Sequence, residues 1–267
     1  MSYFGGKHAV ITGAGSGIGR ALALQLNAQG CSLWLSDINE DNLEQTSALL
    51  SRQSLPVDTQ VVDVADRDSV HAWAQRIGET ATRVDLLVNN AGVALMATVE
   101  ENRYEDLEWL MNINFWGVVH GTKAFLPLLR ESKQGHLVNI SSVFGMIAVP
   151  TQSAYNAAKF AVRGYTEALR HEMADTNVHV MCVHPGGIKT NIVASARGVD
   201  DTDREQRSAD FTAFAKTTAD SAAQQLLRAC EKKKKRLMIG NDARYIALLT
   251  RLFPVNYAKF LPMGEVQ

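Results

Sequence analysis

The sequence predicts an α/β fold: a doubly wound, seven-stranded parallel sheet with helices on both faces. Three observations carry this. Short apolar, partly β-branched runs alternate with longer stretches of helical period along most of the chain. The first run opens directly into a glycine-rich turn and then an amphipathic helix. An acidic residue, Asp37, ends the second run, 18 positions past the last glycine of that turn.

Bulk properties narrow the class. A chain of 267 residues can bury one substantial core, and 1–267 reads as a single domain. Hydrophobic residues at 46% and charged ones at 21% describe an ordinary soluble globular protein. A formal net charge of −1 supplies no field to draw nucleic acid. No apolar stretch reaches the length of a membrane span, and no apolar h-region precedes the first strand, so a cytoplasmic location is expected. Cys31, Cys182 and Cys230 are sparse and far apart, as befits reduced, buried thiols. The histidines show no ligand spacing, and no metal is expected.

In order, His8 to Ile11 is the first strand. Thr12-Gly13-Ala14-Gly15-Ser16-Gly17-Ile18-Gly19 follows, then a helix ending near Gly30. Strand, glycine turn and helix together make a dinucleotide phosphate cradle, although the spacing Gly13-x-x-x-Gly17-x-Gly19 is not the common G-x-G-x-x-G. Ser32 to Ser36 is the second strand. Asp37 at its end has the spacing of a carboxylate on an adenosine ribose, and it can also cap the next helix. Arg20 can reach the adenosine side or stand exposed in the first turn. Residues 40–53 read as helix and Val57 to Val62 as the third strand, closed by Asp63-Val64, where a side chain can meet an adenine. A helix over 66–81 buries Val70, Trp73, Ala74 and Ile77.

Val84 to Val88 is the fourth strand. It ends in Asn89-Asn90-Ala91-Gly92, at the ligand side of such a sheet. A long helix over 104–129 carries Asn114, which needs a partner if buried, and Pro127, expected to kink or shorten its end. After a strand at Leu137 to Ile140, a helix begins at Thr151. Val178 to Val183 is the sixth strand, followed by the loop His184-Pro185-Gly186-Gly187-Ile188-Lys189-Thr190. Residues 187–215 read as a substrate-covering loop, mobile with some helix over 191–215 and charged from Arg197 to Asp210. A helix over 218–231 leads into the basic run up to Arg236, which reads as a helix C-terminus and a solvated turn. Leu237 to Ile239 is a seventh, edge strand, and 241–267 is a C-terminal extension.

The chemistry concentrates between the fifth strand and the helix after it. Tyr155 and Lys159 stand one helical turn apart on one face. A phenol of pKa ~10 beside an ammonium is an acid/base device, and a fall of ~2–3 units, worth ~3–4 kcal/mol, would bring it into the working range.

These pieces together resemble the short-chain dehydrogenase/reductase family over roughly residues 5–240. The matching positions are Thr12-Gly-x-x-x-Gly-Ile-Gly19, Asp63, Asn89-Asn-Ala-Gly92, Asn114, Ser142, Tyr155-x-x-x-Lys159, Pro185-Gly186 and Thr190, in the family's order; Gly187 is the one mild departure. The resemblance implies a Rossmann fold and an oxidoreductase that uses NAD, with NADP as the other option. It implies Tyr155 as the acid/base, Lys159 as the group that lowers its pKa and bonds the nicotinamide ribose, Ser142 holding the substrate oxygen, and Asn114 placing Lys159 through a water. Cofactor contacts would come from Gly13, Ser16, Gly17, Ile18, Gly19, Asp37, Asp63, Val64, Asn90, Ala91, Gly92, Tyr155, Lys159, Pro185, Gly186, Ile188 and Thr190. A homodimer or homotetramer is implied as well. A sensor or scaffold that binds a dinucleotide without turnover is the other class, but such proteins usually lose the Tyr or Lys kept here.

Leu95 and Met96, then Val143, Phe144 and Val149, and Gly187 are expected around the substrate. They are apolar and include no Arg or Lys to clamp an anion, unless Arg197 or Arg204 is brought in. The substrate expected is therefore an uncharged, fairly apolar secondary alcohol or ketone. The apolar tail could close the pocket, pack on a second subunit or touch a membrane surface.

Overall fold

The computed structural model describes residues 2–198, 205, 209, 211, 213 and 215–261. Seven strands form one sheet: β1 His8–Thr12, β2 Ser32–Asp37, β3 Val57–Val61, β4 Leu86–Asn89, β5 Gly135–Ile140, β6 Val178–Pro185 and β7 Arg236–Ile239. Their order is β3-β2-β1-β4-β5-β6-β7, and every pairing is parallel. The direction of winding reverses between β1 and β4, so the crevice beyond the carboxyl ends of these strands is where such a sheet binds ligand.

The helices are α1 Gly17–Ala28, α2 Glu40–Ala48, α3 Arg67–Thr80, α4 Tyr104–Met111, α5 Gly117–Arg130, α6 Ser153–Glu172, α7 Ala219–Glu231 and α8 Asn241–Leu252. Successive strand residues point to opposite faces, so one strand feeds two cores. Ile11, Val88 and Val138 pack with Leu22 and Leu26 of α1 and Leu226 of α7. Their neighbours Val10, Leu87 and Leu137 pack with Trp73 of α3, Phe125 of α5 and Leu169 of α6. Each fully buried Leu or Phe among them stabilises the fold by about 1.5–3 kcal/mol.

Beyond shifts of one or two residues at several strand and helix ends, three differences from the sequence reading bear on the packing. The helix expected over 40–53 stops at Ala48. The chain beyond it is tied down from α1, where Asn27 Oδ1 accepts from Arg52 N at 2.8 Å. The helix expected over 104–129 is interrupted by a π segment at Asn112–Trp116 and then runs through Pro127 to Arg130. Pro127 is exposed, so the carbonyl it leaves unpaired can meet water, and the helix is not shortened. β6 extends two residues further than expected, taking His184 and Pro185 into the sheet opposite Met238 and Ile239.

Candidate active site

A cleft of about 1100 Å³ opens at the carboxyl ends of the strands. Its floor begins at the glycine turn. Gly13 holds φ +65°, where a side chain is strained, and a Cβ there would fall 2.8 Å from Ala91 Cα. At Gly19 a Cβ would overlap the Gly13 carbonyl. Gly19 thus seats α1 under the turn and does not itself line the cleft, unlike Gly13, Ser16, Gly17 and Ile18. Thr12 Oγ1 accepts from both Asn90 N (3.0 Å) and Ala91 N (3.1 Å), and Asn90 Nδ2 donates to Thr12 O and Gly13 O at 3.0 Å each. The two strand ends that frame the switch point are therefore one hydrogen-bonded unit.

Asp37 lies on the cleft wall with its carboxylate fixed: Oδ2 accepts from Gly15 N at 2.9 Å and Oδ1 from Asn39 N at 3.1 Å. Capping of α2 belongs to Asn39, whose Oδ1 accepts from Asn42 N. Arg20 is engaged and not a free first-turn side chain. Its guanidinium donates to Gly15 O, Asn42 O and Thr46 Oγ1, tying the turn to α2 away from the cleft. Asp63 and Val64 also line the cleft, as do Asn90, Ala91 and Gly92.

Ser142, Tyr155 and Lys159 meet on the opposite wall. Ser142 ends the run beyond β5 and caps a short 3-10 turn, Val143–Gly145, accepting from Phe144 N at 3.1 Å. Tyr155 stands in the first turn of α6, with the Phe144 ring edge-on at 6.2 Å. Lys159 is buried, donates from Nζ to Ile140 O at 3.2 Å, and has its Nζ 5.5 Å from the Tyr155 ring centroid. Asn114 is fully buried in the π segment. Its Oδ1 accepts from Val93 N at 2.8 Å and its Nδ2 donates to Val93 O at 2.9 Å. Val93 is the partner the sequence demanded. A Cβ at Gly92 would sit 3.2 Å from Asn114 Oδ1 and 3.5 Å from Lys159 Nζ, so all three meet at Gly92.

The electrostatics depart from the sequence expectation. Burial pushes the Tyr155 phenol up to about 12, with Ser142 hydrogen bonding pulling it back, and pushes the Lys159 ammonium down to about 8. For both groups the largest cause is desolvation by burial, which disfavours the charged form of each. Behind Ser142 stands His184, buried and lowered to about 4 by that burial. Its Nδ1 lies 2.9 Å from Ser142 O, a carbonyl that can only accept, so Nδ1 carries the proton.

The substrate end is lined by Met96, Val143, Phe144, Val149 and Gly187. Leu95 is a correction: it turns into a small core with Leu110, Ala154 and Ala158. Ile246, Asp242 and Leu261 of the tail also line the cleft. Arg197 does not reach it; it pairs with Asp106 at 3.1 Å and covers the Trp109 ring at 3.8 Å. Arg204 lies outside the described residues, as do most positions of the covering loop between 199 and 214.

Asn89 turns inward from its strand end, and its partners Asn139 and Thr166, like Ser141, gave no signal in sequence. Asn89 Nδ2 donates to Asn139 Oδ1 at 2.8 Å, and Asn139 Nδ2 to Thr166 Oγ1 at 3.0 Å. This buried polar rung joins β4, β5 and α6. Ser141 Oγ donates to Lys159 O at 2.8 Å. Only the apolar context of these side chains hinted that they would need partners.

Comparison with known proteins agrees with this geometry. Residues 7–200 match the short chain dehydrogenase family. A Mycobacterium tuberculosis protein named "Putative oxidoreductase SadH" is 46% identical over 268 aligned positions, covering 99% of this chain and 97% of that protein. A short chain dehydrogenase/reductase from Burkholderia phymatum, in complex with NAD, superposes with a TM-score of 0.87 at 28% identity, covering 100% of this chain and 99% of that one. An alcohol dehydrogenase from the archaeon Thermococcus sibiricus, complexed with 5-hydroxy-NADP, gives 0.75 at 26% identity over 87% and 95% of the two chains.

Proposed function

The chain belongs to the short-chain dehydrogenase family, and we propose that it interconverts an uncharged, fairly apolar secondary alcohol and its ketone, with NAD(H) as the hydride partner. The observation that carries this reading is the convergence of Ser142, Tyr155 and Lys159 on one wall of the cleft. The opposite wall suits a dinucleotide. α1 begins without a side-chain cap and without an acidic residue in its first turn, so its N-terminal N–H groups are available to a pyrophosphate. Asp37 suits the two hydroxyls of an adenosine ribose and repels a 2′-phosphate. When bound, the nicotinamide gives or takes the hydride.

The remaining chemistry belongs to the protein. With its pKa near 12, Tyr155 keeps its proton across the neutral range and is poised to give it to a ketone oxygen. In the oxidative direction it takes the alcohol proton, with the Lys159 charge on its own helix face favouring the phenolate. Ser142 accepts from Phe144 N, which leaves its hydroxyl proton to point at the same substrate oxygen. Asn114 acts at one remove, by fixing Val93 beside Gly92 and so shaping the seat of Lys159.

Charge sets the substrate class. Among the described residues lining the cleft, Lys159 is the sole Lys or Arg, facing Asp37, Asp63, Glu101 and Asp242. An anionic substrate has nothing to clamp it. The test is a series of ketones of rising apolar size, followed by nicotinamide absorbance with NADH and NADPH. We expect kcat/KM to rise by up to ~0.8 kcal/mol per buried methylene. NADH binding with no turnover anywhere in the series would leave a sensor in place of an enzyme, and tighter NADPH than NADH binding would reverse the cofactor preference.

The chain also suits a homodimer or homotetramer. Trp116 and Phe160, 47% and 41% exposed, stand near and on the two long central helices. A monomer by light scattering at micromolar concentration would count against it.

A further inference from the structure

The loop after β6 carries the one departure from the family pattern, Gly187, and the structure gives that position a partner from the far end of the chain. Gly187 N donates to Asp242 Oδ2 at 2.6 Å. Asp242 belongs to the first turn of α8, beyond the residues matched to the family. Room for its carboxylate is made on both sides by missing side chains. A Cβ at Gly186 would overlap Asp242 Oδ2, and one at Gly240 would overlap Oδ1. Gly240 also holds φ +99°, a conformation that an L side chain adopts only with strain. Gly186 N in turn donates to Ile239 O at 2.9 Å. Asp242 and the turn it holds, Pro185 to Ile188, both line the cleft.

We propose that Asp242 is a positioning residue: its carboxylate latches the Gly186–Gly187 turn against α8 and thereby fixes the wall on which the nicotinamide end of the cofactor rests. This deepens the proposed function and depends on it. The bond is short and its acceptor is a carboxylate, the strong kind of hydrogen bond. Without it the turn keeps only main-chain ties on that side, and the Gly187 N–H must find water. A second tether holds the same tail from the other side of the pocket, where Tyr257 Oη accepts from Ala148 N at 3.0 Å. The tail is thus a wall pinned at two points.

The test is direct titration of NADH by nicotinamide fluorescence, with no substrate present, on the wild type, Asp242→Ala, Asp242→Asn, Gly186→Ala and Gly186→Ala/Asp242→Ala. Wild-type protein that binds no NADH would sink the functional reading and this inference with it. If the wild type binds, we expect Asp242→Ala to raise Kd about tenfold, or about 1.4 kcal/mol. Asp242→Asn, which keeps an acceptor oxygen, should recover most of this. Gly186→Ala should weaken binding in the wild-type background by displacing the carboxylate, yet add little once Asp242 is gone. Unchanged binding in Asp242→Ala overturns the latch. So do additive losses in the double variant, or equal losses for Ala and Asn in protein of unchanged melting temperature. Should Asp242→Ala fail to fold, the Asn variant and Gly186→Ala decide: normal Kd in Gly186→Ala overturns the proposal.

Discussion

The two walls of the cleft are built by different means. On the wall around β1, α1 and β2, the shape is set by main chain: glycines that let backbones touch, an uncapped helix N-terminus, and Thr12 binding the amides of Asn90 and Ala91. On the wall around β5, α6 and the tail, buried side chains do the equivalent job, each holding a main-chain group in place. Ser142 meets His184, Lys159 meets the carbonyl of Ile140, and Gly187 meets Asp242. A main-chain site tolerates little change in shape. A side-chain site holds its chemistry in single groups, at a cost in desolvation.

The sharpest way to break the comparison is to remove one atom from the side-chain wall. Tyr155→Phe should lower kcat by at least ~10²-fold, the usual worth of a positioned acid/base, while the Kd for NADH stays near that of the wild type. Near-normal turnover would take Tyr155 out of the reaction. Loss of cofactor binding as well would mean that the two walls do not divide the labour.

Lys159 tests the cost. Its pKa is pushed from the ordinary 10.5 to about 8 by burial. Below about 8 the ammonium is charged in both states, and the folded protein carries the whole penalty. Between about 8 and 10.5 the folded state gives up its proton before the unfolded chain does, so stability rises with pH through that window. Lys159→Met should abolish turnover and raise stability at neutral pH by roughly 2–3 kcal/mol, less what is lost as Ile140 O goes unpaired. The measurement is denaturant unfolding of both proteins from pH 7 to 11. A difference between them that does not shrink toward high pH would show that Lys159 is not desolvated.

The main-chain wall was the easier one to read in the sequence. Glycine spacing, a strand and a helix are local, and so is Asp37, whose carboxylate answers Gly15 from 22 residues away across a single strand pairing. The doubly wound parallel sheet followed from the alternation of short apolar runs with stretches of helical period. What stayed hidden shares one property: it depends on a partner that no local pattern names. The π segment places Asn114 against Val93; Arg20 turns to α2; Leu95 faces its own small core; Asp242 arrives from the tail. The raised pKa of Tyr155 has the same root, because desolvation is a property of the packed pocket and not of the i, i+4 spacing.

A smaller effect is expected where the main-chain wall is overfilled. Gly19→Ala would press a methyl onto the Gly13 carbonyl, a backbone atom that cannot swing aside. Overpacking of this kind costs ~1–3 kcal/mol and should displace the turn, so stability and NADH affinity should fall together. The relevant contrast is with Tyr155→Phe, which should change neither. A Gly19→Ala protein that melts and binds as the wild type does would mean that the close approach at this turn is not needed.

The smallest effect tests whether the side-chain wall extends into the tail. Tyr257 Oη accepts from Ala148 N at 3.0 Å, in an exposed position. Its loss in Tyr257→Phe should cost ~0.5–1.5 kcal/mol at most, since both groups can turn to water. Tyr257 does not line the cleft, but Leu261, four residues on, does, as does the loop from Val143 to Val149 that holds Ala148. Loosening that joint leaves Tyr155 and Lys159 where they are and frees only the rim. A small ketone that never reaches the rim should keep its kcat and KM. A bulky one that buries methylenes against Leu261 should show a KM raised by about two- to three-fold, the loss of less than one buried CH₂. The size of the substrate, not the variant alone, is therefore the variable to scan. Equal effects on small and large ketones would place the tail outside the substrate's reach and confine the side-chain wall to β5, β6 and α6.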